Sequence, residues 1–223
     1  MVLFGGSTIS GGDVLADAMK NGIAGKYIIV GGAGHTTDTL RQKVQEECPS
    51  IMTGGLSEAE VFNRYLDVKY GLKADYLETR STNCGNNITC LLDLLKQHGI
   101  VYRSIILCQD ATMQRRMEAG MCKYVSGDIT IINFAAYQAE VVLRNGQLAY
   151  AEDIHGMWDI DRYVNLLMGE IPRLTDDADG YGPKGKNFIA HVDIPEEVQI
   201  AFEELKRTYG EDIREANPLF ASE

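Results

Sequence analysis

Residues 27–37 read Tyr-Ile-Ile-Val-Gly-Gly-Ala-Gly-His-Thr-Thr, and this stretch decides the fold. Its first four residues are aromatic or β-branched, which is typical of a strand buried in a sheet. The strand stops at a run with three glycines, which let the backbone turn sharply and approach a ligand closely. A buried strand that ends in a glycine-rich turn is typical of the parallel sheet of an α/β protein.

The same pattern extends outward through about residue 135, where short apolar runs alternate with longer amphipathic segments. Further buried strands are predicted at residues 2–4, 104–108 and 129–134, with a weaker one at 76–79. Helices are predicted at residues 12–21, 56–70, 87–98 and 112–124. Right-handed crossovers would place these helices on both faces of the sheet. The sequence therefore predicts an α/β fold with a Rossmann-like, three-layer parallel sheet.

Beyond about residue 150 the alternation stops. A helix is predicted at residues 157–168, then a stretch rich in Gly, Pro and Asp at 172–185, then a terminal helix at 195–209. We therefore predict two parts, a Rossmann-like α/β domain at 1–150 and a helical C-terminal extension at 151–223 that packs on it.

Composition excludes several classes of protein. The net charge of −11 at pH 7, with no cluster of basic residues, argues against binding to nucleic acid. The five cysteines form no C-x-x-C pair, which favours a reducing compartment over a disulfide framework. No apolar run reaches the roughly 18 residues of a membrane span, and the first residues carry no basic signal-peptide region. We expect a cytoplasmic protein that does not bind membranes.

The candidate site lies in the turns that follow the strands, because the carboxyl ends of parallel strands share one edge of a sheet. Glycines there expose backbone N–H groups to anions, and the following helix adds its positive end. Amide, hydroxyl and guanidinium side chains there can bind a ribose, a carboxylate or a phosphate. The candidate ligand-binding residues, in chain order, are Gly5, Gly6, Ser7, Gly31, Gly32, Gly34, His35, Glu58, Ser81, Thr82, Asn83, Asn86, Gln109, Asp110, Arg115 and Arg116.

Each of these turns also has an ordinary structural interpretation. Paired glycines make tight turns without any ligand, and one of Ser81, Thr82 and Asn83 is expected to cap the following helix. Thr112 is expected to cap the next helix, while Arg115 and Arg116 could form solvated salt bridges.

Familiar catalytic patterns are missing from the sequence. Neither glycine turn continues into Gly-Lys-Ser/Thr or completes G-x-G-x-x-G, which disfavours an ATPase and a conventional NAD enzyme. The four histidines lack zinc-site spacing, and no nucleophile motif occurs, so we predict no metal and name no catalytic residue. Binding of a small molecule is better supported than any reaction.

Several blocks resemble the YdcF-like proteins, uncharacterised bacterial proteins related to the SanA and ElyC envelope proteins. The similarity spans residues 2 to about 198. The blocks are Gly-Gly-Ala-Gly-His-Thr at 31–36, Ser-Thr-Asn-Cys-Gly-Asn at 81–86, Gln-Asp-Ala-Thr-Met-Gln-Arg-Arg at 109–116, Asp-Gly-Tyr-Gly-Pro at 179–183, Gly-Met-Trp at 156–158 and Arg-Tyr at 162–163.

The resemblance implies a Rossmann-like domain that binds S-adenosyl-L-methionine, with no established methyl transfer and no proven catalytic residue. It implies ligand contact by the same turns that the strand pattern singles out. Such proteins usually carry a helical segment before the first strand, whereas this sequence starts on that strand. The resemblance therefore leads us to expect either an upstream start or an uncovered sheet edge. The membrane anchor of the SanA and ElyC relatives is absent from this sequence.

Two functions follow as expectations, and the choice between enzyme and binding protein stays open. The first is binding of S-adenosyl-L-methionine or a related nucleoside at the strand ends, with small-molecule ligands as the partners. The alternative is a hydrolase or transferase for a phosphorylated or cell-envelope sugar substrate, with Arg115 and Arg116 holding its phosphate. The sequence does not indicate the oligomeric state.

Overall fold

A computed structural model describes residues 1–6, 8–34 and 36–209 of the chain. Five parallel strands form one sheet in the order β3-β2-β1-β4-β5. These strands are β1 Val2–Phe4, β2 Ile28–Val30, β3 Tyr76–Glu78, β4 Ser104–Cys108 and β5 Thr130–Asn133. The helices are α1 Ser10–Lys20, α2 Thr37–Glu47, α3 Glu58–Tyr70, α4 Cys84–Gln97, α5 Gln114–Tyr124, α6 Ile160–Leu174 and α7 Glu196–Tyr209.

The strands alternate their side chains between two hydrophobic cores, one on each face of the sheet. Leu3 and Ile29 pack with α1, α2, α3 and α6, whereas Phe4 and Val30 pack with α4 and α5. Both faces are covered, which explains why the central strands β1 and β2 are apolar throughout. The predicted α/β class and Rossmann-like three-layer sheet are confirmed.

Two elements were not predicted. Helix α2 buries only Thr37, Leu40 and Val44, so its apolar stripe is short. The strands β6 Val141–Arg144 and β7 Gln147–Tyr150 form a separate antiparallel hairpin. Asn145 (φ 52°) and Gly146 (φ 77°) make its turn, and Asn-Gly between apolar runs is a sequence signal for such a hairpin.

Helices α6 and α7 follow the hairpin, close to where the sequence predicts them. The division into a domain at 1–150 and an extension at 151–223 stays a prediction. No helix in the described part of the chain is long and apolar enough to cross a membrane.

Candidate functional site

The turns after β1, β2, β3 and β4 meet at one edge of the sheet, which we call the strand-end rim. It consists of residues 5–6, 31–34 with 36–37, 81–86 and 109–113. A Cβ built on Gly6 would lie 3.4 Å from Met113 Cε and 3.5 Å from Thr36 Oγ1, so the first, second and fourth turns touch. Cys84 Sγ lies 3.9 Å from Met113 Sδ, which joins the third turn to the fourth.

Gly5, Gly31 and Gly32 serve close packing of these turns. A Cβ on Gly31 would lie 2.9 Å from Gly5 Cα, and one on Gly32 would overlap the carbonyl oxygen of Ser81. The N–H of Gly32 donates to that same carbonyl at 2.9 Å. Gly34 is more open, because a Cβ there would lie 3.3 Å from Thr82 O. The glycines therefore draw the turns together, and Gly6 (φ 79°) additionally needs glycine for its backbone conformation.

Glu58 brings a carboxyl group into the middle of the rim. It is the first residue of α3, directly after the N-cap residue Ser57, and is only 5% exposed. Its Oε1 accepts hydrogen bonds from the hydroxyls of Thr36 and Thr37, each at 2.9 Å. Its Oε2 lies against Gly5, where an added Cβ would overlap it.

Burial raises the pKa of Glu58 above its ordinary value, because removal from water disfavours the charged carboxylate. Hydrogen bonds from Thr36, Thr37 and the N–H of Gly6 offset part of this effect. The positive charge of Arg41 also acts to lower the pKa of Glu58, but its guanidinium pairs with Asp38 at 2.9 Å. A buried carboxyl with a raised pKa at the carboxyl edge of a parallel sheet is typical of a functional site.

We expect the wild-type protein to lose stability relative to the Glu58→Gln variant as the pH rises. Below the ordinary carboxyl value of 4.5, Glu58 is protonated in both folded and unfolded chains. Above that pH the unfolded chain ionises first, which favours unfolding until the folded carboxyl ionises as well. Each unit by which the pKa is raised corresponds to about 1.4 kcal/mol. Urea unfolding of both proteins across this range measures the effect.

Glu60→Gln is the matched control, two residues along the same helix. The N–H and the hydroxyl of Ser57 donate to the Glu60 carboxylate and hold its pKa below the ordinary value. The pH dependence of stability that Glu60 contributes therefore has the opposite sign to that of Glu58. The wild type should gain stability relative to Glu60→Gln as the pH rises. Equal pH slopes for the two variants would contradict a raised pKa at Glu58.

The third turn holds the amide and hydroxyl candidates. Asn83 caps α4, since its side chain accepts a hydrogen bond from the N–H of Asn86 at 2.9 Å. Thr82 and Asn83 both donate to Asn86 Oδ1 at 3.1 Å. Ser81 is buried, and its hydroxyl has no hydrogen-bond partner among the described residues. The predicted cap is confirmed, and the Ser81 hydroxyl keeps its capacity for a further bond.

In the fourth turn, two side chains that were predicted to bind a ligand are buried inside the protein. Gln109 and Asp110 are fully buried, and Gln109 Nε2 donates to the carbonyl of Gly5 at 2.9 Å. Asp110 Oδ1 accepts from the N–H and hydroxyl of Thr112 and from the hydroxyl of Tyr137, while Oδ2 accepts from Trp158 Nε1 at 2.7 Å. Both side chains therefore tie the rim together from below. Thr112 does not cap α5, whose N-cap residue is Met113.

Arg115 and Arg116 both engage carboxylates. Arg116, 11% exposed, forms two hydrogen bonds to Glu170 of α6, at 2.5 and 2.8 Å. Arg115 is 57% exposed and pairs with Glu118 one turn along α5. Both arginines form salt bridges, but only that of Arg115 is solvated as the sequence interpretation had it, and that of Arg116 is buried. A phosphate would have to compete with these carboxylates for either side chain.

The remaining predicted residues, Ser7 and His35, lie outside the described residues. Among the residues that the structure describes, no group of three or more His, Cys, Asp or Glu side chains is arranged to hold a metal ion. No protein-family model matches the chain.

Sequence reasoning missed the groups that surround the two rim carboxyls. Thr36 and Thr37 follow the second glycine turn directly, so their position was a usable signal for contact with Glu58. Tyr137 and Trp158 reach Asp110 from 27 and 48 residues away, and no local pattern indicates that contact.

Proposed function

We propose that the strand-end rim binds a small molecule of the nucleoside type, S-adenosyl-L-methionine or a close relative. The observation that carries this proposal is Glu58, a buried carboxyl at the meeting point of two glycine turns. A carboxyl whose pKa is raised by burial, at the sheet edge where α/β proteins bind their ligands, is a functional-site candidate on physical grounds. The similarity of the rim blocks to the YdcF-like proteins supports the same ligand class, and membership of that group is part of the proposal.

The rim offers a complementary group for each part of such a ligand. Glu58 is suited to a positive centre or a hydroxyl, because Arg41, whose charge acts on it, is paired with Asp38. The half-buried amides of Asn83 and Asn86 are suited to a ribose or a base edge. The second turn leads into α2, and the N-terminus of that helix is suited to an anionic group.

The phosphate-binding alternative has less support. It relies on Arg115 and Arg116, and their guanidinium groups are engaged by Glu118 and Glu170. A hydrolase or transferase for phosphorylated sugars would need other cations at the rim.

Titration with S-adenosyl-L-methionine, followed by thermal unfolding, tests the proposal. A ligand that binds only the folded chain stabilises it by about 2.7 kcal/mol at a hundred times its dissociation constant. We expect Asn83→Ser to weaken binding about tenfold, equivalent to about 1.4 kcal/mol, through loss of one amide contact. Serine retains the helix cap, so a loss of binding would not reflect a frayed α4.

Asn21→Ala is the matched control, since Asn21 ends α1 and, within the described residues, its side chain donates only to the carbonyl of Asp17. It should bind like the wild type. A melting temperature that stays flat up to millimolar S-adenosyl-L-methionine would overturn the proposal. Stabilisation by inorganic phosphate that is lost in Arg115→Ala would favour the alternative instead.

A further inference from the structure

A short segment of the C-terminal extension, residues 154–158, fastens to three elements of the sheet domain. We call it the clasp. The Nζ of Lys43 in α2 donates to the carbonyls of Gly156 and Met157, at 2.7 and 2.5 Å. Gly156 (φ 65°) packs on Ile9 so closely that an added Cβ would overlap it. Trp158 reaches under the rim to Asp110.

His155 is the part of the clasp that carries a titratable group. Its Nδ1 lies 2.6 Å from Asp13 Oδ2, and its Nε2 lies 2.5 Å from Glu47 Oε2. A neutral imidazole has one N–H donor, whereas the imidazolium has two. Since both neighbours are carboxylate acceptors, only the protonated ring can donate to both. A neutral ring can donate to only one of the two carboxylates, so one of these contacts depends on the protonation of His155.

The groups around His155 keep the two carboxylates charged. Burial acts to raise the pKa of Asp13 and of Glu47, but hydrogen bonds and the Lys69 ammonium outweigh it and hold both values below the ordinary range. Lys69 lies 2.6 Å from Glu47 and 3.3 Å from Asp13. The titratable groups that face this cluster are Asp13 of α1, Glu47 of α2, Cys48 after it, and Tyr65, Lys69 and Tyr70 of α3.

We propose that the clasp is a proton-sensitive latch on the strand-end rim: protonated His155 holds it on α1 and α2, and loss of the proton releases it. Release loosens Trp158 from Asp110 and thereby the fourth turn. His155 is 43% exposed, so solvent protons reach its ring. The consequence for ligand binding rests on the proposed function, but the latch itself does not.

Trp158 is the single tryptophan of the chain and reports on the clasp without any ligand. It is 3% exposed. We expect its acrylamide quenching constant to rise at least about twofold as the pH goes from about 5.5 to about 8.5. The His155→Gln variant, which does not titrate, should show no such rise. Absence of the rise in the wild type, or its persistence in His155→Gln, would overturn the latch.

His191→Gln is the matched control. His191 also bridges two carboxylates, with Nδ1 2.7 Å from Asp176 and Nε2 3.0 Å from Asp193, but neither belongs to the clasp. This variant should keep the wild-type response of Trp158, and loss of the response would count against the latch.

Glu47→Gln provides a second variant should His155→Gln fail to fold. The new amide can donate to the bare nitrogen of a neutral ring, so the clasp should stay closed at the higher pH and the quenching rise should disappear. An unchanged rise in Glu47→Gln would overturn the proposal. Titration with S-adenosyl-L-methionine at both pH values then separates the two ideas. A quenching rise without any binding would support the latch and overturn the nucleoside proposal. Binding without the quenching rise would support the nucleoside proposal and overturn the latch.

Discussion

Replacement of Asp110 by alanine is expected to lower the free energy of unfolding by about 3–5 kcal/mol, because several buried donors lose their acceptor together. The carboxylate accepts from the N–H and hydroxyl of Thr112, the hydroxyl of Tyr137 and the indole N–H of Trp158. Each buried donor left without a partner costs about 1–3 kcal/mol. Urea unfolding of the wild type and the variant measures the difference, and Trp158 fluorescence follows the same transition.

Asp128→Ala is the appropriate control, since this exposed aspartate lies in the turn before β5 and no hydrogen bond of its side chain occurs within the described residues. Its effect should stay within about 0.5 kcal/mol. If Asp110→Ala unfolds at nearly the wild-type urea concentration, the network below the rim contributes little. Asp110 would then be available as a ligand group.

The sheet could be predicted because a strand buried on both faces appears in the sequence as a run of consecutive apolar residues. The predicted strands at 2–4 and 104–108 match the observed Val2–Phe4 and Ser104–Cys108 at both ends. Helix α2 was not predicted because its apolar residues do not form such a clear pattern. It presents only a narrow stripe to the core, so its sequence is dominated by the polar residues of its exposed side.

The position of the candidate site could be predicted from the sequence, but the role of each of its residues could not. The turns after strands must share an edge in a parallel sheet, and the contacts of Gly6 with Met113 and Thr36 bear this out. Glu58 and Asp110 looked alike in the sequence, as isolated carboxylates near strand ends. They differ in the donors around them. Glu58 accepts from the threonines of the second turn, whereas Asp110 also accepts from Tyr137 and Trp158, which no local pattern connects to it. Trp158 lies 48 residues from Asp110 in the chain.

Residues after 150 account for most of this difference. They supply Trp158 to Asp110 and Glu170 to Arg116, which are two of the three charged groups in 109–116 that the sequence assigned to a ligand. Glu58 receives no group from residues after 150 among its hydrogen-bond partners in the described chain. These later residues therefore build the floor of the rim and leave Glu58 as its chemically distinctive member.

The second large effect is expected at the contact between α5 and α6. Glu170→Ala should lower the free energy of unfolding by about 3–5 kcal/mol, because Arg116 would keep its charge without a partner. Both side chains of this pair are almost completely buried, at 11% and 2% exposure. Removal of one member of a buried pair costs far more than removal of a surface partner, whose contribution is about 0–1 kcal/mol.

Glu118→Ala supplies the surface comparison, since Glu118 pairs with Arg115, which is 57% exposed, on the same helix. A double replacement of Arg116 and Glu170 by methionine completes the design. It removes both charges and leaves apolar groups of similar length, so it should recover most of the lost stability. Urea unfolding of the three variants measures the free energy of unfolding that each one loses. Equal losses in Glu170→Ala and Glu118→Ala would mean that solvent reaches Arg116, and a phosphate could then reach it as well.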